Sequence, residues 1–242
     1  MPNQLLPKRW TSQPQYPTGI DWSNPITRGV NWVAIGGNPF DLISNVALAP
    51  LGTPALGRNY YGSTFDTVNA TDAYVGVISK VPTAEATLVF HGVLTAISSL
   101  ALFCGFPHDL SNNGPYANVA LGGSRVGGAN ITLYFSDSIQ TLTTMASAGS
   151  YPIGSLCTIV ATVKTGDQRL YLNGVQTDSG TVALTGGLWQ PPTKYMIVGS
   201  PVAGRSANTK TALFSAYNRV LTPVEVTDLS TDPWQIFAPS LS

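Results

Sequence analysis

The segment Arg169-Leu170-Tyr171-Leu172-Asn173-Gly174-Val175 constrains this chain more than any other. Apolar residues alternate into Asn-Gly, the pair best able to hold positive φ at both central positions of a tight turn. That pattern predicts a β-hairpin with a type I′ turn. A second segment, Ala216-Tyr217-Asn218-Arg219-Val220-Leu221-Thr222-Pro223-Val224-Glu225-Val226, reads as a strand running into a short helix. Thr222 is suited to cap that helix, and Pro223 fits its first position, where no backbone N–H is needed.

Between the two motifs and residue 30 the same grammar repeats. Short apolar or alternating runs, separated by turn residues, predict strands at 30–35, 59–66, 73–79, 86–94, 100–105, 117–121, 129–135, 140–145, 156–163, 168–172, 175–178, 195–199 and 211–217. Ile131, Leu133 and Phe135 alternating with Thr132, Tyr134 and Ser136 give a clear case. With 24 Gly and 18 Pro there is little room for long helices, and only one is predicted, near 223–230. The expectation is an all-β, antiparallel jelly-roll sandwich over residues 29–231. Gly122–Gly128 reads as a flexible hairpin tip. Residues 1–28, rich in Pro, Gln, Ser and Thr, are expected to form an extended arm. Trp10, Tyr16 and Trp22 on that arm are anchors for its own body or for a neighbouring subunit. Pro233 is expected to stop the helix, leaving a tail, 232–242, whose Trp234, Ile236 and Phe237 need an apolar surface on the body or on a partner.

Charge narrows the partners. Only 10% of the 242 residues are charged, against roughly 25% in ordinary soluble domains, and 12 basic residues balance 12 acidic ones. That argues against nucleic acid, which requires a concentrated basic surface. A Thr/Ser/Gly-rich surface suits packing into a larger assembly or contact with uncharged sugars. Cys104 and Cys157 each sit in an apolar run and read as buried free thiols. The first residues lack the apolar core of a signal peptide, and no stretch approaches a membrane-spanning length, so synthesis in a cytoplasm is expected, with no membrane partner.

The search for chemistry excludes more than it finds. A retaining glycosidase needs paired carboxylates about 5 Å apart. Glu85 and Glu225 are the only glutamates, and neither has an acidic neighbour at a useful spacing. Asp66 and Asp72 lie six apart across a predicted turn. There is no Gly-x-Ser-x-Gly, and His91 and His108 are remote from any activated nucleophile. No zinc spacing exists; Asp66, Asn69 and Asp72 form the best calcium cluster, although turn chemistry explains that composition equally. Tyr60, Tyr61, Tyr116 and Trp189 are candidates for stacking on sugar rings. The expectation is a protein without catalytic residues and without a cofactor.

Three stretches carry a resemblance. Gly62-Ser63-Thr64-Phe65-Asp66 with Asp72-Ala73-Tyr74-Val75, then Val160-Ala161-Thr162-Val163 with the Asn173-Gly174 hairpin, then Tyr217-Asn218-Arg219-Val220-Leu221 resemble the LamG-like, concanavalin A-like jelly-roll superfamily. The likeness spans about 56–230 and implies the fold; it says little of activity, because lectins, glycosidases and structural parts share it. Ser23-Asn24-Pro25-Ile26-Thr27-Arg28-Gly29-Val30 and Asp232-Pro233-Trp234-Gln235-Ile236-Phe237 resemble the ends of proteins encoded among bacteriophage structural genes. That second likeness implies a virion component, either a capsid decoration protein or part of a tail or fibre. Its implied partners are other virion proteins, capsid or tail subunits, in a symmetric homo-oligomer such as a trimer. A glycan-binding module for a host surface is the alternative, and a glycosidase or lyase on the same fold the more distant one.

Overall fold

The computed structural model describes residues 12–14, 19–60, 62–68, 72–97, 101–107, 110, 117–123, 130–146, 151–200 and 207–238. Its strands in chain order are β1 (Val30–Ile35), β2 (Ala49–Leu51), β3 (Ala55–Asn59), β4 (Gly62–Thr67), β5 (Ala73–Val77), β6 (Ala86–Ile97), β7 (Leu102–Pro107) and β8 (Ala117–Gly123). They continue as β9 (Ile131–Ser136), β10 (Leu142–Ala146), β11 (Leu156–Lys164), β12 (Asp167–Leu172), β13 (Val175–Gly180), β14 (Tyr195–Gly199) and β15 (Ala207–Tyr217). Among the described residues a single α-helix, α1 (Pro223–Thr231), follows.

Two antiparallel sheets stack as a jelly-roll sandwich. One runs β13-β12-β11-β6-β15-β4-β3, and the other runs β10-β9-β8-β7-β14-β5-β2. The long strand β15 is shared along one edge: Thr209–Thr211 pair with β4, and the stretch from Leu213 to Tyr217 pairs with β1. The inner faces supply an aromatic core, with Trp32 against Phe106 at 4.8 Å, Phe65 against Tyr74 at 4.8 Å and Phe90 against Phe103 at 5.1 Å. Cys104 and Cys157 are buried free thiols there. Burial pushes both up in pKa, Cys157 to about 12, so neither is a ready nucleophile.

The hairpin behaves as its sequence requires. Asn173 and Gly174 hold φ of 50° and 82°, and Leu172 pairs with Val175 across them, which is the type I′ arrangement. A Cβ on Gly174 would lie 3.3 Å from Thr227 Cα, so the turn abuts α1. That helix carries a full capping box: Thr222 accepts from Glu225 N at 3.3 Å while Glu225 accepts from Thr222 N at 2.8 Å. Strands β2 and β3 are the elements that periodicity does not reveal. Pro50, Gly52, Pro54 and Gly57 punctuate them, and the run expected at 59–66 divides at Asn59 and Gly62 into the facing ends of β3 and β4.

Candidate functional site

The chain ends meet on the outer face of the larger sheet. Asn24 accepts from Ile26 N at 3.1 Å and so caps a 3-10 turn, Pro25–Thr27. Asp232 does the same for Trp234 N at 3.2 Å, opening the turn Pro233–Ile236 after α1 has ended. The two turns are then laced together: Asp21 N donates to Ile236 O and Ala238 N to Gly19 O, both at 2.9 Å, and Asn24 Nδ2 donates to Gln235 O at 2.9 Å. Arg219 ties the closing segment to this strap. Its guanidinium grips Glu225 at 2.7 and 2.9 Å and donates from Nε to Arg28 O at 2.6 Å. That grip, burial notwithstanding, holds the Glu225 carboxyl below the usual range. Beneath the strap lies a second apolar core, in which Ile20, Ile26, Trp234, Ile236 and Phe237 cover Val33, Val89, Val160 and Leu213.

Of the two surfaces expected for the end segments, the chain's own body or a neighbour, their described residues lie on the body. The described part of residues 1–28 lies on its own body, and Gln13 is buried there with its amide donating to Ser63 O at 2.8 Å. Trp234 and Phe237 are 6% and 3% exposed, covered by the chain itself, and so are not surfaces for a partner. Trp22 stands 64% exposed on the strap, while Trp10 and Tyr16 fall outside the described residues.

The sugar-stacking candidates also separate. Tyr60, just beyond β3, is 96% exposed. Trp189 is buried, its carbonyl held by Asn118, so its ring is not a platform for a ligand. Tyr61 and Tyr116 lie outside the described residues, as do His108 and Asn69. Asp66 accepts from Thr64 Oγ1 at 2.5 Å and faces Lys210 at 4.0 Å. Asp72 is buried and accepts from Thr53 N at 2.8 Å and Val68 N at 3.3 Å, which is loop clamping. Both carboxylates add to the burial that raises the Tyr74 pKa. Among the described residues no three His, Cys, Asp or Glu side chains gather as a metal site.

A groove of about 640 Å³ opens beside the strap, between β6, β11, the Asn173 turn and the end of α1. His91 forms part of its wall, 8% exposed, with Nδ1 2.9 Å from Thr158 Oγ1 and its ring edge-on to Trp234 at 5.4 Å. Burial lowers the imidazole to about 4, so it is neutral at pH 7. Asn173 locks the opposite wall, accepting from Thr158 N and donating to Thr158 O, both at 2.8 Å. The walls offer hydroxyls, amides and one carboxylate, Asp232.

A further groove lies at one end of the sandwich, where β1 and β15 meet the β5–β6 and β13–β14 connections. Its two lobes, about 270 and 320 Å³, share Asn31, Trp32, Ser79, Lys80 and Asn218. Asn118, fully buried, was not singled out by sequence, yet it fastens this end. Its Nδ2 donates to Pro82 O at 2.8 Å and to Trp189 O at 2.6 Å, joining the two connections. Leu188 N donates to Thr83 O at 2.8 Å and Gln190 Nε2 to Pro82 O at 2.7 Å, completing the seam.

No protein-family model and no curated protein matches the sequence. Solved structures match in fold. The chain is similar to domain 4 of AbnA, a GH43 extracellular arabinanase from Geobacillus stearothermophilus, solved in complex with arabinotriose. The two share 16% identity at a TM-score of 0.64, over 83% of this chain and 98% of that domain. It is also similar to the receptor binding domain of botulinum neurotoxin C/D mosaic serotype (13% identity, TM-score 0.60, 84% of this chain). The binding domain of Paraclostridial Mosquitocidal Protein 1 gives 14% identity and a TM-score of 0.61 over 85% of this chain. The chain spans about half of those two toxin domains, 51% and 52% of their lengths. At these identities the likeness establishes a β-sandwich fold.

Proposed function

We propose that this chain is a non-catalytic docking module, and specifically a surface component of a bacteriophage particle. The fold it shares with carbohydrate- and receptor-binding domains is compatible with a binding role. The observation that carries the docking reading is Trp22. In a strap where the other described large aromatics, Trp234 and Phe237, are buried, this indole is left 64% exposed. A large aromatic surface held on a rigid, hydrogen-bonded turn is the usual form of an interface anchor. The particle assignment follows from the likeness of the two end segments to phage structural proteins, and those segments fold against each other here. Mass spectrometry of purified particles from a culture producing the chain tests it. Its peptides are expected at a fixed ratio to the major capsid protein, and their absence overturns the particle assignment.

A second reading, a glycan-binding module, is favoured by Tyr60, whose ring is almost wholly open to solvent. The similar arabinanase domain was solved with arabinotriose. A glycan array with the full chain tests this reading, with Tyr60→Ala expected to abolish any neutral-sugar signal. An array without binding removes it.

A further inference from the structure

We propose that the end groove bounded by Asn31, Lys80, Gln190, Lys194 and Asn218 binds an acidic saccharide, its carboxylates set between the two lysines. The inference deepens the glycan-binding reading and rests on it. Four lysines are described. Lys164 pairs with Asp167 at 3.7 Å and Lys210 with Asp66 at 4.0 Å. Lys80 and Lys194 have no acidic partner among the described residues, and both line this one groove. Among the described residues no Asp or Glu lines either lobe. The carboxylate nearest in the chain, Glu85, two residues beyond Thr83, lines a different groove with Lys164, Asp167 and Arg169; Asp41, three residues before Ser44, is fully buried and accepts from Val33 N at 2.8 Å, Ser44 N at 2.9 Å and the Ser44 hydroxyl. The groove therefore holds two uncompensated positive charges in a chain with net charge 0.

Its remaining polar groups fit a polyol. The side-chain amides of Asn31 and Asn218 have no partner among the described residues, and each offers donor and acceptor together, as vicinal hydroxyls require. Gln190 is anchored through Nε2, which leaves its Oε1 to accept. Trp32 lines both lobes but is 4% exposed, so it shapes the groove rather than stacking on a ring. No carboxylate among the described residues lines the groove to serve a cation. The walls are set before any ligand arrives, because Asn118 joins Pro82 and Trp189 beneath them. Each lobe is near the lower end of ligand-site volumes, about 300–1,000 Å³.

The test is calorimetric titration of the full chain with trigalacturonate, galactotriose and arabinotriose, at low and high salt. Trigalacturonate is expected to bind, more weakly as salt rises. Lys80→Met and Lys194→Met are each expected to weaken binding about two- to fivefold, and the double variant about tenfold. Unfolding midpoints should be unchanged, because neither side chain has an ion pair among the described residues. Asn218→Ala is expected to weaken trigalacturonate without altering the salt dependence. Failure of trigalacturonate to bind overturns the proposal, as does equal binding of galactotriose or indifference to both lysine substitutions. Displacement by inorganic sulfate at matching charge concentration would mean a bare anion site and also overturns it. Arabinotriose binding that Tyr60→Ala abolishes, without trigalacturonate binding, keeps the glycan reading and removes this one.

Discussion

The strap over the larger sheet and the groove at the end of the sandwich are made of similar material and finish in opposite states. Each joins two chain segments distant in sequence, and each has an Asn at the joint: Asn24 to Gln235 O in the strap, Asn118 to Pro82 O and Trp189 O under the groove. In the strap the large apolar side chains turn inward and form a second core, so Trp234 and Phe237 are consumed by folding. At the groove the buried amide holds only the frame, and the lining amides of Asn31 and Asn218 and the ammonium groups have no partner among the described residues. Aromatic content alone is thus a poor guide to exposed surface in this molecule, since Trp22 stays open while Trp234 and Phe237 are covered.

Substitutions in the two regions should diverge accordingly. The largest effect is expected for Trp234→Ala, which empties a buried site between strap and sheet and should cost about 3–5 kcal/mol. Urea unfolding measures it; a loss below about 1 kcal/mol would mean that the strap is not integral to the core. His91, against the same indole, gives the strap side a pH dependence. Its pKa falls from 6.5 in the unfolded chain to about 4 in the folded one, through burial. The unfolded state then binds more protons in that window, so stability rises with pH between about 4 and 6.5 and falls on acidification through it. The span is on the order of 3 kcal/mol. His91→Gln should flatten the profile of urea midpoints in that window. Glu225, whose carboxyl is lowered by Arg219, acts in the same direction but only below its unfolded value of 4.5, so the two are separable.

On the groove side, Asn118→Ala removes the amide that donates to both the Pro82 and Trp189 carbonyls, leaving them the bonds from Gln190 Nε2, at 2.7 and 3.4 Å. The expected loss is about 1–3 kcal/mol, together with weaker trigalacturonate binding. A variant that loses stability but binds as before would show that the frame does not preorganise the groove.

Most of the frame was legible because it depends on local chemistry. Asn173-Gly174 admits few backbones, Thr222-Pro223 with Glu225 is a self-contained capping device, and alternating runs such as 131–136 declare their faces. Strands β2 and β3 escaped because three to five residues interrupted by Pro and Gly carry no period. The fates of Trp22, Trp189 and Trp234 were not legible, because each depends on what a remote segment places over it. The groove was invisible for the same reason. Asn31 and Asn218 approach only because β1 pairs with the end of β15, and Lys80 meets Lys194 only because Ile78 N donates to Lys194 O at 2.9 Å. No window of sequence contains either meeting.

The smallest expected thermodynamic effect tests the docking reading most directly. Trp22 and Trp234 occupy the same strap, laced by the same hydrogen bonds, yet Trp22 removes little surface from water. Trp22→Ala should therefore change stability by less than about 0.5 kcal/mol. If the exposed indole is an anchor, the same substitution should sharply reduce incorporation of the chain into particles, measured by quantitative mass spectrometry beside wild type. A truncated anchor at the centre of an interface typically costs 2 kcal/mol or more, about thirtyfold in affinity. Normal incorporation of Trp22→Ala would place the contact elsewhere on the chain. Lost incorporation with an unchanged urea midpoint would separate docking from folding in a way that Trp234→Ala cannot, because that variant loses the strap itself.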